Sequence, residues 1–393
     1  MVDQSERAFR LLCRELGTEL AYTPMLHARL FNEVPTFREQ HFDVHAGLER
    51  PGVFAQFAGH DPQTVLAAAR QVEGEVDAVD LNFGCPQGIA RKGRYGAFLL
   101  DEPDVMVALV ETLAAGLTVP VTVKLRLLPS RPDAIELCRR LEGAGASVLC
   151  LHGRTRDQNK QYCGSADWDA IREAVDALSI PVIANGGIAT RADVDACLAH
   201  TGAAAVMSSE ALLENPALFC GNVHPATGAT LDQTALARRY LEIAAEHPPS
   251  KGAAVVRGHL FKLLHNGWRE HADLRDALLV APSLHAMGSI VDDLDERGWA
   301  MPHFHTDEHN LDVSWYRRHW APPAAATTDA AASGASEAPP QPSREAIATA
   351  ALERRSRKAK ERRSKNRRRR ESKAQRAAGV PQLRPDERLL QGL

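Results

Sequence analysis

Residues 78–100 read "AVDLNFGCPQGIARKGRYGAFLL". An apolar run from Ala78 to Phe83, with Asp80 inside it, ends at Gly84-Cys85-Pro86 and passes into a basic loop with Arg91, Lys92, Gly93 and Arg94. A short, nearly all-apolar run closed by glycine and proline is the pattern of a parallel strand covered on both faces. The unit recurs along the chain. Leu20–Thr23, Val53–Phe57, Val121–Leu125, Ser147–His152, Val182–Asn185 and Ala203–Met207 read as strands beside Ala78–Asn82. Segments with helical spacing lie between them: Pro62–Val72, Pro103–Ala114, Asp133–Gly143, Asp167–Leu178 and Arg191–Ala199. Pro62, Pro103 and Pro132 fall where helices begin, a position that tolerates proline. The alternation predicts an α/β chain built as a TIM (β/α)8 barrel. Seven strands are counted where eight are required. The opening "MVDQSERAFRLLCREL" reads as a helix from about Asp3 or Ser5, so the first strand is apparently missing.

Working outward, residues 1–228 form the expected barrel domain. Residues 229–320 are helical throughout, with apolar spacings of three and four, and predict a small all-α domain appended to it. Residues 321–393 change composition, first to an Ala/Pro/Ser-rich linker and then to a basic tail, and are expected to be disordered. The net charge of −3 conceals a division: residues 343–393 hold 17 Lys+Arg against 6 Asp+Glu, and residues 1–342 hold 30 against 44. A basic arm on an acidic body suggests contact with nucleic acid. The arm has no aromatic side chain between Arg354 and Arg370 to stack on bases, and a nuclear address is its competing reading. The seven cysteines are scattered and form no Cys-x-x-Cys pair, which argues for reduced thiols and against a structural metal. No apolar run is long enough to span a membrane, and a soluble chain without membrane contact is expected.

Barrel enzymes collect their chemistry at the carboxyl ends of strands. Here those ends carry Gln56, Asn82 with Cys85, Lys124 with Arg126, His152 with Arg154, Asn185-Gly186-Gly187, and Ser208-Ser209-Glu210. Any one of them suits a strand terminator; a Gln, Lys, His and Asn set is not needed for that. The turns after "PVIAN" and "AVM" stand where barrels commonly hold a phosphate, and a lysine deep in the barrel suits a flavin mononucleotide (FMN).

"LNFGCP…RYGAFLL", "VTVKLRLLP", "LHGRTRDQ", "PVIANGGI" and "VMSSEALLENPALF" together resemble the tRNA-dihydrouridine synthase family, and "MVDQSERAFRLL", "LAYTPMLHARLF" and "VRGHLFKLLH" resemble its eukaryotic branch acting on D-loop positions 16 and 17. The resemblance runs over roughly residues 1–320. It implies an FMN-containing barrel, a helical tRNA-binding domain and reduction of uridine with NADPH or NADH. It assigns Cys85 as the acid that protonates C5 of uracil; free thiols, with a pKa of about 8.5, are mostly protonated at neutral pH. It matches Gln56, Lys124 and His152 to flavin contacts, and Asn185, Gly186, Gly187, Ser209 and Glu210 to the phosphate turns. Asn82 would hydrogen-bond the base, with Arg91, Lys92, Arg94, Arg126 and Arg154 as further substrate-binding residues. tRNA is the implied partner, with no stable protein partner, and the implied location is cytoplasmic, nuclear or both. The family's first strand ends in Ala-Pro-Met, and that methionine aligns with Met1; a truncated gene model is the expected reason for the missing strand. Gly187 departs from the branch, which often has Asn there.

Two other readings compete. A dihydroorotate-dehydrogenase-like flavoenzyme would need neither helical appendage nor basic tail, and "LHGRTRDQ" does not resemble one. A catalytically inactive RNA-binding or nucleolar protein would have no use for Cys85, Lys124 and His152 in these places.

Overall fold

The structure, a computed structural model, describes residues 4–159 and 163–298. Its centre is a parallel sheet of β1 (Ala21–Tyr22), β2 (Leu26–His27), β3 (Val53–Ala58), β4 (Ala78–Phe83), β5 (Val121–Leu127), β6 (Val148–Thr155), β7 (Val182–Asn185) and β8 (Ala205–Met207), in the order β1-β3-β4-β5-β6-β7-β8 with β2 also on β3. From β2 onward helices connect consecutive strands, giving the α/β, TIM-like arrangement expected. Among the described residues no ladder joins β8 to β1.

The strand expected at Leu20–Thr23 is β1, and a further short strand, β2, follows it outside the expected run; both pair with β3, at Ala21↔Val53 and Leu26↔Phe57. Pro24 lies between them and has no N–H for a ladder. Thr23 bridges the gap, its Oγ1 accepting from the Gln56 amide at 3.0 Å. β6 is longer than expected and takes Arg154 into the strand.

Apolar side chains of the sheet and its covering helices form one core, with Phe57, Leu81, Val123, Leu149 and Ala184 fully or almost fully buried. A second apolar core joins the helix Arg7–Glu15 to the helices from Gln233 onward, through Phe9, Leu12, Tyr240, Leu260 and Val291. The N-terminal helix thus packs in the same core as residues distant in sequence. Its first amide, Arg7 N–H, is capped by Asp43 Oδ2 at 2.9 Å rather than by a side chain of its own. The helical stretch 272–296 forms two helices, Ala272–Val280 and Leu284–Glu296. Pro282 intervenes, and Arg257 donates to the carbonyls of Leu278 and Ala281 at 2.9 and 2.7 Å, closing the break. Arg257 is therefore committed to a helix end. No described helix is long and apolar enough to cross a membrane. Met1, and the linker and basic tail within 299–393, lie outside the described residues.

Candidate active site

Strand register sets the polar residues in layers. Gln56 pairs with Asp80 and Asp80 with Thr122; one step further on, Asn82 pairs with Lys124 and Lys124 with Cys150; above them Arg126, His152, Asn185 and Met207 pair in succession. All are separated by two along their strands, so each strand turns these side chains to one face. That face is hydrogen-bonded across strands. Gln56 Nε2 donates to Asp80 Oδ2 at 2.8 Å, Thr122 Oγ1 donates to Asp80 Oδ1 at 2.6 Å, and Asn82 Nδ2 donates to Gln56 Oε1 at 2.8 Å. Lys124 Nζ donates to Asn185 Oδ1 at 2.8 Å, and Asn185 Nδ2 to the Met207 carbonyl at 2.8 Å.

Cys85 follows β4, is half-buried and is not in a disulfide. Asn82 Oδ1 accepts from the backbone N–H of Gly84 at 3.1 Å and of Cys85 at 3.0 Å. The Cys85 carbonyl accepts from Ala97 N–H at 3.0 Å. Between these points the expected basic loop is a short helix, Gly88–Gly93, ended by Arg94 in the left-handed region at φ 52°. Gly96 closes the excursion at φ 66°; a Cβ there would lie 2.7 Å from the Cys85 carbonyl oxygen, so glycine is required. Tyr95 packs with Cys85 in a small cluster containing Ala58 and Ala90, and His27 meets the Tyr95 ring edge-on at 5.2 Å.

Burial controls the charges. The His152 imidazole is pushed well below its ordinary value by burial first and then by Lys124, Arg126 and Arg154, so it is neutral at physiological pH. Lys124 is pulled down chiefly by burial. Arg126 is lowered to about 10 by burial and by Arg154, and remains charged at neutral pH. Asp80 moves the other way, raised to about 7 by burial against the hydrogen bonds from Thr122 and Gln56 and the charge of Lys124.

The sequence-predicted residues divide into three groups. Gln56, Asn82, Lys124, His152 and Asn185 share the polar face, and Cys85 is tied to it through Asn82. Gly186 and Gly187 follow β7 with φ 102° and 83°; a Cβ on Gly186 would lie 2.7 Å from the His152 ring. Ser209 precedes the helix Glu210–Glu214, with Glu210 as its first residue, and Ser208 Oγ donates to the Ile188 carbonyl at 3.0 Å. Arg126 spends its guanidinium on three carbonyls: Gly84 at 2.9 Å, Thr155 at 2.9 Å and Gln158 at 3.1 Å. It thereby staples the turn before Cys85 to the segment after β6. Arg154 is buried, donating to the Gly164 carbonyl at 3.0 Å and lying 3.4 Å from His152 Nε2. Arg91 and Lys92 are exposed on the Gly88–Gly93 helix, and Arg94 pairs with Glu102 at 2.7 Å. Asp80, Thr122 and Trp168, whose Nε1 donates to the Gly186 carbonyl at 3.0 Å, belong to the same neighbourhood and escaped sequence reasoning. The signal for the first two was available: "VTVKLRL" and "AVDLNF" place polar residues at every second position.

The model of the dihydrouridine synthase (Dus) family matches residues 1–278. The chain belongs to the dihydrouridine synthase family. It is 40% identical over 290 residues to a rat "tRNA-dihydrouridine(16/17) synthase [NAD(P)(+)]-like" protein, covering 74% of this chain and 64% of the relative. It is 42% identical over 284 residues to the "tRNA-dihydrouridine(16/17) synthase [NAD(P)(+)]" of Saccharomyces cerevisiae, covering 71% of this chain and 67% of the relative. The mouse relative, also 40% identical, is covered over 59% of its length. The chain thus spans about three-fifths of the length of the rodent family members it matches.

Proposed function

We propose that this chain reduces uridine to 5,6-dihydrouridine in the D-loop of tRNA, at positions 16 and 17, with FMN as cofactor and NADPH or NADH as reductant. The observation that carries the reading is the joining of Cys85 to the Gln56–Asn82 amide pair at the sheet's carboxyl edge, beside Lys124, Asn185 and His152, in a chain of this family. The donor set fits a flavin. Lys124, with three N–H bonds, and a neutral His152 offer donors beside Gly186, where any side chain would collide with the imidazole. Gln56, Lys124, His152 and Asn185 would hold the ring system, and Gly186, Gly187, Ser209 and Glu210 the phosphate end. When bound, reduced FMN supplies the hydride for uracil C6.

The remaining work belongs to the chain's own groups. Asn82 orients the base, and Cys85 Sγ–H gives its proton to C5, leaving a thiolate that solvent reprotonates. Arg91 and Lys92 offer phosphate contacts beside the opening for an extruded nucleotide. Arg126 and Arg154 shape the same mouth, with the helical part and basic arm adding RNA affinity. The test is to incubate the purified chain with NADPH and tRNA lacking dihydrouridine, then to map the product by mass spectrometry. Dihydrouridine at 16 or 17 supports the reading; a flavin-loaded chain that forms none at any uridine overturns it.

A further inference from the structure

Asp80 is the most deeply buried charged group in the sheet, with no exposed surface, and the reaction as proposed makes no use of it. It is nevertheless the start of a continuous set of hydrogen bonds that ends on the backbone of Cys85. The bonds run from Asp80 Oδ2 to Gln56 Nε2 (2.8 Å), from Gln56 Oε1 to Asn82 Nδ2 (2.8 Å), and from Asn82 Oδ1 to the N–H groups of Gly84 and Cys85 (3.1 and 3.0 Å).

An amide side chain is a donor at one end and an acceptor at the other, with little difference in shape, so either end of Gln56 or Asn82 fits its space. An ionised carboxylate removes the ambiguity because it only accepts. Gln56 must then turn its nitrogen to Asp80 and its oxygen to Asn82. Asn82 must turn its nitrogen to Gln56 and keep its oxygen for the two backbone amides. Reversing either amide sets donor against donor in a dry environment. Thr122 Oγ1, donating at 2.6 Å, satisfies the other carboxylate oxygen and completes the polarity.

We propose that Asp80 is a positioning residue that sets the direction of the Gln56 and Asn82 amides, and through them the base-binding face of Asn82 and the turn that presents Cys85. The proposal rests on the reading of Cys85 as the acid and Asn82 as the base contact. Asp80 titrates at about 7, raised by burial. The groups facing it from the packed strands are Gln56 on β3, Thr122 and Lys124 on β5, Tyr22 on β1 and Cys150 on β6. Lys124 favours its charge; Tyr22 and Cys150, both themselves pushed up by burial, stay neutral at physiological pH. As pH falls through 7 the carboxyl gains a proton, can donate as well as accept, and no longer enforces one amide direction.

The experiment is D80N, which keeps the shape and removes the charge. Full-length protein with its retained flavin is assayed for kcat on tRNA from pH 6 to 8. In parallel, iodoacetamide labelling is followed site by site by peptide mass spectrometry. We expect kcat at pH 8 to fall by about tenfold, the wild-type decline below pH 7 to disappear, and Cys85 to be labelled faster while buried Cys138 and Cys197 stay protected. Wild-type kcat, pH profile and labelling in D80N would overturn the proposal. Should Cys138 become reactive, signalling a lost fold, the wild-type protein decides: a kcat step near pH 7 supports the assignment, and a flat profile from pH 6 to 8 overturns it. If the wild-type chain makes no dihydrouridine at all, the functional reading fails, and the Cys85 labelling contrast still judges the relay.

Discussion

At the carboxyl edge of the sheet, half-buried Lys124 and His152 and buried Asn185 form a polar group; under the helix Arg7–Glu15, Arg10, Asp43 and Glu49 form another, with Glu6, Tyr240 and His259 next to it. Both gather ionisable side chains. In the second, Arg10 is 2% exposed and Glu49 fully buried, and the guanidinium meets both carboxylate oxygens of Glu49 and also Asp43. Glu6 takes Tyr240 Oη–H at 2.6 Å and the His259 ring at 2.9 Å, with Phe9 stacked on that ring at 4.2 Å. Opposite charges answer one another there, and the set joins the chain's start to its helical end. At the sheet edge Lys124 donates to the Asn185 amide oxygen, no carboxylate among the described residues forms a salt bridge with it, and its neighbours Arg126 and Arg154 carry the same sign. A network that balances its own charge holds a fold together. One left with surplus positive charge and donors is fitted to an anionic or electron-rich ligand.

The sharpest way to break this comparison is at Cys85. Cys85→Ala should lower dihydrouridine formation by about 10²- to 10⁴-fold, the range for a positioned general acid, while the flavin absorbance and the melting temperature stay near wild type. Activity within a few-fold of wild type would remove Cys85 from the chemistry. The counterpart is Arg10→Met, which leaves Glu49 and Asp43 without their partner. It should cost about 3–5 kcal/mol of stability, read by denaturant unfolding, with flavin content per folded molecule unchanged. A stable Arg10→Met protein would show that this network is decorative.

The smallest effect sharpens the same contrast through pH. Burial would raise the Glu6 carboxyl, but His259 and the hydrogen bonds from His259 and Tyr240 outweigh it and hold the group down at about 2, against 4.5 for a free glutamate. A depressed carboxyl contributes stability that is complete above the free value and is lost as pH falls from 4.5 toward 2. Acid titration of the melting temperature should show this slope in the wild type and a shallower one in Glu6→Gln. Identical slopes would place the acid sensitivity elsewhere.

The β-α alternation, the glycine turns and Cys85 at a strand end were legible because each depends on neighbours in sequence: strand periodicity, proline at helix starts, and backbone angles that only glycine takes easily. The short strand β2 beyond Pro24 had no such signal and shows only through its pairing with β3. Other features had no local signature. Arg126 and Arg154 read as RNA-binding charges, and their commitment to carbonyls near residues 84, 155, 158 and 164 is visible only once those backbones are adjacent. Arg257 likewise holds carbonyls, at a helix end that only the fold brings beside it.

What the amino-acid order determined by itself was the kind of fold and the placing of Cys85 just past the end of a strand, because hydrophobic period and turn chemistry act over a few residues. What only the tertiary structure decided was the surroundings of each polar side chain: a neutral His152, an Asp80 carboxyl raised by burial, and an Asn82 oxygen taken up by the Gly84 and Cys85 N–H groups. Those follow from desolvation and from partners on other strands, as far apart in sequence as Lys124 and Asn185, which no local pattern encodes.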